Sequence, residues 1–272
     1  MTVHQFYRHG QPGYYSLAEL PQAKPIDRIA LSTGWWELDQ IWRPYPGQFT
    51  IVTGIAGHGK STFLFNVICN LAKNHGTRSF LYVPENESHV RGKLERIWGA
   101  EEGFGYFCSD QCYLQSAVQS SYDAEPHTLQ WVLDKGVIAV ERDDVDVLLV
   151  DPWNEIERAK PADMLLTDYI GQCLMWLKAF ARVHQVAVIM VAHPTKAGTS
   201  EGKTPTLADI EGSMNWYNKC DNGLIIVRDA EHTTAKVISA KCREEGAGKR
   251  GVCFFYVDEK TGIFTPQVGA VT

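Results

Sequence analysis

No part of this chain is apolar for long. The longest unbroken run, Val186–Ala192, has seven residues, against the roughly 20 that a bilayer-crossing helix needs, so no membrane partner is expected. The seven cysteines, Cys69, Cys108, Cys112, Cys173, Cys220, Cys242 and Cys253, are an odd set without a C-x-x-C spacing. That pattern fits neither a disulfide scaffold nor a zinc ribbon. The opening MTVHQFYRHG has no apolar run followed by small residues, so no secretory leader is read, and reduced thiols in the cytoplasm are the expectation. Positive charge is not in excess either: the formal net charge is -6. Bulk attraction to nucleic acid is therefore not expected, although a local basic surface would not register in a sum. Repeats and low-complexity tracts are also missing.

What remains is an ordinary globular composition, 272 residues with 44% hydrophobic and 21% charged, enough for a packed core. Residues 1–30 read as an arm or linker, with one short helical candidate, Ser16–Leu20, stopped by Pro21. From residue 31 to 272, apolar runs of strand length alternate with helical stretches, the pattern of a mostly parallel central sheet flanked by helices. The strand candidates are Phe49–Thr53, Ser79–Val83, Val145–Val150, Val186–Ala192 and Leu224–Val227. Their unbroken apolar character predicts central strands covered on both faces. Leu166, Ile170, Leu174, Leu177 and Ala181 recur every three or four residues, predicting a covering helix that ends near His184. Ala235–Lys241, Gly251–Val257 and the turn Asp258–Gly262 read as C-terminal antiparallel strands and hairpins.

Directly after the first strand comes GIAGHGKS, which matches G-x-x-x-x-G-K-[ST] at every fixed position and leads into a helical stretch, Thr62–Asn74. Glycines 54, 57 and 59 let the backbone curl with its N–H groups inward, so Gly54, Ile55, Ala56, Gly57, His58, Gly59, Lys60, Ser61 and Thr62 form the expected phosphate cradle. The helix N-terminus adds positive partial charge and Lys60 reaches the outer phosphates. Ser61 can ligate Mg²⁺, so ATP with Mg²⁺ is the expected guest. A dinucleotide fingerprint fits less well, because the glycines are spaced G-x-x-G-x-G and Lys60 would have no role.

Asp151 is the first polar residue after Val147–Val150. At the carboxyl edge of a parallel sheet it would face the cradle and hold the metal with Ser61; the alternative is a helix-capping aspartate before Pro152. Just past the second strand, Glu85 and Glu87 offer a carboxylate to orient or deprotonate an attacking water. Glu85 lies nearer the strand end and is preferred. Either could instead be a first-turn acidic residue of the next helix.

Together these residues resemble the RecA-like P-loop motor domain of hexameric replicative DNA helicases, the phage primase-helicase and Twinkle-like branch most closely, over roughly Leu31 to Phe264. Thr33-Gly34-Trp35-Trp36-Glu37-Leu38-Asp39 is similar to that family's TG-x-x-x-LD lead-in. In VIMVAHPTK the resemblance makes His193 a γ-phosphate sensor, where a bland reading would be a histidine satisfied by loop backbone. It makes the following Gly/Ser/Thr/Lys-rich loop a grip on single-stranded DNA, with Lys196 and Lys203 as its cations. Asp209-Ile210-Glu211-Gly212-Ser213 resembles a second channel-facing element, so Gly212, Ser213 and Asn215 are further DNA candidates; several relatives carry an arginine just beyond this point, and this chain does not. Lys241 and Arg243 in SAKCR resemble the K-x-R element whose arginine reaches the neighbouring subunit's ATP. Period-two alternation predicts that both point to one face of a strand; alone they would read as basic residues on an edge strand. The family implies a homo-hexamer that moves 5′ to 3′ and unwinds forked DNA, with a primase or other replication protein as a possible partner. The alternative is a RecA-like DNA-binding or regulatory ATPase without strand separation. A small-molecule kinase is disfavoured, since no Arg-rich lid follows.

Overall fold

The computed structural model of the chain describes residues 18, 24–100, 102–115, 127–195, 198, 203–211 and 214–269. Lys196, Gly212, Ser213 and most of the Ser16–Leu20 candidate lie outside the described residues, as does the side chain of Glu87.

Among the described residues, nine strands form one sheet: β1 (Phe49–Thr53), β2 (Ser79–Tyr82), β3 (Cys112–Gln115), β4 (Val147–Val150), β5 (Ala187–Val191), β6 (Asn222–Arg228), β7 (Thr234–Cys242), β8 (Gly251–Val257) and β9 (Phe264–Pro266). Their order is β3-β2-β4-β5-β1-β6-β7-β8-β9. The first six in that order pair in parallel and the last three add antiparallel. All five predicted strands are internal to the sheet, with ends shifted by up to two residues; Val186–Ala192 is the fifth strand because the short β3 precedes it.

Besides several single helical turns, the helices are α1 (Lys60–His75), α2 (Glu87–Trp98), α3 (Leu129–Asp143), α4 (Leu166–His184) and the short α5 (Asn215–Lys219). Alternation in the parallel strands feeds two separate cores. In β4, Val147 and Leu149 face the side of α1 and α2, while Leu148 and Val150 face the side of α3 and α4. Each such strand is thus covered twice, as continuous apolar runs require. The stripe on α4 behaves as expected: Ile170, Leu174, Leu177 and Ala181 are fully buried.

The TG-x-x-x-LD segment closes on itself. The Asp39 carboxylate accepts from the Thr33 N–H (2.7 Å), the Thr33 hydroxyl (2.7 Å) and the Ser32 hydroxyl (2.5 Å). Asn70 of α1 donates to the Thr33 carbonyl at 2.9 Å. This motif therefore braces the helix behind the cradle. Before it, Ile26–Ile29 makes a helical turn laid against Glu245–Ala247.

Candidate functional site

The cradle forms where β1 ends. Gly54, Gly57 and Gly59 all have positive φ (146°, 77° and 77°), a region that side chains with a Cβ rarely enter. At Gly54 there is no room either: an added Cβ would lie 2.0 Å from the Ile226 carbonyl oxygen of β6. The loop turns into the N-terminus of α1, where Phe63 N–H reaches back to the Gly59 carbonyl at 2.8 Å. Lys60 folds over the loop and donates to the carbonyls of Gly54 (3.1 Å) and Ile55 (3.0 Å).

Asp151 stands one residue beyond β4 and is only 3% exposed. It caps no helix, since the short turn Trp153–Glu155 begins after Pro152. Ser61 donates a side-chain hydrogen bond to its carboxylate, and Lys60 and Glu85 act on it electrostatically. Burial pushes the Asp151 carboxyl up to about 6 against the pull of Ser61 and Lys60. Its Oδ2 has no hydrogen-bond partner among the described residues. A buried carboxylate oxygen without a donor lacks its stabilisation, and a divalent cation beside the Ser61 hydroxyl would supply it. The residues present therefore fit Mg²⁺.

Glu85 lies on the short turn Pro84–Asn86 after β2, and burial, then the Glu155 carboxylate, raise its pKa while Lys60 opposes them. Burial likewise pulls the Lys60 ammonium down to about 8, with Asp151 and Glu85 working to hold the proton on. His193, just past β5, faces the same centre: desolvation, then the Lys60 charge, lower its imidazole to about 4. Its backbone N–H donates to Asn154 Oδ1 at 3.2 Å, and its ring Nδ1 is buried without a partner among the described residues. So no loop backbone group satisfies Nδ1, and the ring lies within electrostatic reach of Lys60.

Two flanking residues belong to none of the sequence motifs. Arg228, at the end of β6, donates its N–H to His58 Nδ1 at 2.9 Å, and its side chain passes beside Gly59. His232 stacks edge-on to His58 with ring centres 5.4 Å apart. The one sequence signal for them is a basic residue closing a strand that pairs with β1.

The two DNA candidates among the described residues, Lys203 and Asn215, are engaged within the chain. Lys203 pairs with Asp209 at 2.9 Å, and the Asn215 amide donates to the Thr167 carbonyl at 2.9 Å. Asp209 is held in turn by a capping box with Thr206. Arg158, on the segment after Asp151, pairs with Glu211 at 2.5 Å.

Lys241 is the next-to-last residue of β7, beside a bulge, and Arg243 follows just outside the strand. Both lean toward the α5–β6 corner. Lys241 donates to the carbonyls of Tyr217 and Asn218, and Arg243 Nε lies 3.2 Å from Asp221 Oδ1. Asn222 and Gly223 pair with Cys242 and Lys241, and also with Thr50 and Ile51 near the start of β1. The two cations therefore sit at the amino edge of the parallel strands, whereas the cradle is at the carboxyl edge. Along β1, Lys241 is level with Ile51, about 10 Å or three residues short of Gly54, and Arg243, past Cys242, is about 16 Å or five residues away.

The chain matches the family described as AAA domain over residues 36–199. It is 30% identical over 260 residues to the Twinkle homolog protein, chloroplastic/mitochondrial, of Arabidopsis thaliana, covering 86% of this chain and 36% of that protein. To the DNA repair protein RadA of Haemophilus influenzae it is 32% identical over 173 residues, covering 63% of this chain and 33% of that protein. The chain thus spans about a third of the length of these curated relatives. A solved ATPase domain superposes with a TM-score of 0.70 at 19% identity, covering 87% of this chain and 91% of that one. A DnaB-like replicative helicase, solved for its interactions with primase, superposes at 0.68 and 18% identity, covering 86% and 61%. At these identities the likeness is one of fold, and the fold is RecA-like.

Proposed function

The chain belongs to the AAA domain family, and from that premise we propose that residues 31–272 are the motor domain of a replicative-type DNA helicase, preceded by an arm over residues 1–30. The motor hydrolyses ATP with Mg²⁺ at the junction of two copies and uses the change to move on single-stranded DNA. The observation that carries this reading is the division between the two sheet edges: Lys60, Ser61, Glu85, Asp151 and His193 converge at one, and Lys241 and Arg243 stand at the other. Those two cations cannot serve their own cradle. This separation supports a role at another copy's cradle.

Within the site, the backbone N–H groups of the loop, the N-terminus of α1 and Lys60 hold the phosphates. Ser61 and Asp151 are the residues to hold Mg²⁺, whose chemistry is to neutralise charge on the phosphate oxygens. Glu85, with its pKa raised, is suited to accept a proton from the attacking water. His193 stays neutral and can hydrogen-bond the outermost phosphate through its free nitrogen, and it is tied through Asn154 to the segment that carries Arg158. The loop from residue 194 to 215 would meet single-stranded DNA, with Lys196, Lys203, Gly212, Ser213 and Asn215 as contacts. A hexameric ring, 5′ to 3′ travel and a primase partner follow from the family reading.

A DNA-binding ATPase without strand separation is the second reading, favoured by the likeness to the DNA repair protein RadA. ATP turnover with and without a single-stranded oligonucleotide, followed by a forked duplex, separates the two. Stimulation with unwinding supports the helicase; stimulation without unwinding supports the second reading; indifference to DNA removes both.

A further inference from the structure

Asp221, one residue before β6, is a buried carboxylate, its side chain 4% exposed. Its Oδ2 accepts the N–H of Phe49, the first residue of β1, at 3.1 Å. Its Oδ1 has two cations beside it, Lys178 Nζ of α4 at 2.6 Å and Arg243 Nε at 3.2 Å. The cations differ in setting. The Lys178 side chain is 15% exposed, and its Nζ also donates to the Lys219 carbonyl that ends α5, at 3.0 Å. The Arg243 side chain is 42% exposed, and its terminal nitrogens have no partner among the described residues.

A buried carboxylate must be neutralised, and here Lys178 with the Phe49 N–H already does so. Arg243 is therefore not needed to keep Asp221 in place; the dependence runs the other way. Asp221 meets the guanidinium at Nε, and the side chain is 42% exposed, so the forked Nη1/Nη2 end, the end suited to phosphate oxygens, is not taken up by this carboxylate. Lys241 is anchored separately on the α5 carbonyls.

We propose that Asp221 is a positioning residue for catalysis in trans: it orients Arg243 so that the guanidinium fork is presented to the adjoining copy's nucleotide, while Lys178 keeps Asp221 neutralised when the arginine moves off. This rests on the reading of Arg243 as a residue donated between copies. A group that acts only through another has no effect once that other is gone, and this supplies the test.

ATP turnover of the full chain is measured for Asp221→Asn, Arg243→Ala, their double variant and Lys60→Ala, with single-stranded oligonucleotide present. Asp221→Asn is expected to lower kcat about 10²-fold, the scale of a misplacement of roughly 1 Å at a reacting centre, with KM for ATP unchanged. The double variant should turn over at the rate of Arg243→Ala. Mixed with Lys60→Ala chains, whose arginine is intact and correctly held, Asp221→Asn should recover activity; mixed with Arg243→Ala it should not. A double variant slower than Arg243→Ala, or an Asp221→Asn chain that restores Arg243→Ala, overturns the proposal. Failure of Arg243→Ala to recover when mixed with Lys60→Ala overturns the donated-arginine reading itself, and that arm does not involve Asp221.

Discussion

Lys60 is buried and His193 half-buried beside the cradle, and burial acts on each in the same direction, toward the neutral form. An anion entering the cradle reverses this for Lys60, so the bare site is poised to gain from a phosphate. The histidine gives a test at the pH scale. In the unfolded chain its imidazole titrates at the ordinary 6.5, and in the folded chain at about 4. Protons thus bind the unfolded state more readily across that interval, stability falls as pH drops through it, and the effect vanishes above about 6.5. His193→Gln removes this one contribution. By urea unfolding, the variant should gain on the wild type between about pH 7 and pH 5; an unchanged difference would show that the ring is not held neutral. A second residue-scale outcome concerns Gly54, whose positive φ and contact with the Ile226 carbonyl exclude any side chain. Gly54→Ala is expected to lose nucleotide binding in equilibrium titration and at least about 1–3 kcal/mol of stability, the scale of a strained backbone.

Among the elements, the segment after β4 connects the metal-side carboxylate to the region proposed to meet DNA. Trp153, two residues past Asp151, meets Trp216 of α5 edge to face with ring centres 5.6 Å apart. Trp216 is fully buried and donates Nε1–H to the Glu211 carbonyl at 2.6 Å. Trp216→Ala should destabilise the domain by about 3–5 kcal/mol, read as a lower midpoint in chemical denaturation; a loss below about 1 kcal/mol would mean that α5 is not docked through this ring. The elements also differ in how plainly the amino-acid sequence announces them. Strands β1, β2, β4, β5 and β6 are legible because each is an apolar run covered on both faces, and the cradle because its glycines and Lys60 have fixed spacing. β3 is not: it is four residues long, lies at the sheet edge, follows an irregular turn at Phe107–Gln111, and leaves Leu114 39% exposed. Helix α3 also escapes the sequence reading, although Thr128 caps it and Leu129, Val132, Leu133, Gly136 and Val140 mark its buried face. Gly136 lets α3 lie against the Phe180 ring of α4, where a Cβ would come within 3.0 Å. The partners of Arg243 and Arg228 are beyond the reach of sequence, since both depend on pairings between distant strands.

For the whole molecule, the sheet acts as a spacer. Its parallel strands put the phosphate cradle at one edge, and the antiparallel turn from β6 into β7 brings Lys241 and Arg243 back to the other. On the proposed reading the site is complete only when a second copy lends its edge, and an arginine lent in trans is typically worth about 10³ to 10⁵ in phosphoryl-transfer rate. Arg243→Ala should therefore bind ATP normally while turning it over about 10³-fold more slowly. The most direct measurement is ATP turnover in an equimolar mixture of Lys60→Ala and Arg243→Ala chains, each inactive alone. The expected result is partial recovery, because Arg243→Ala cradles then sit beside Lys60→Ala arginines. A mixture no faster than the sum of its inactive parts would contradict the account.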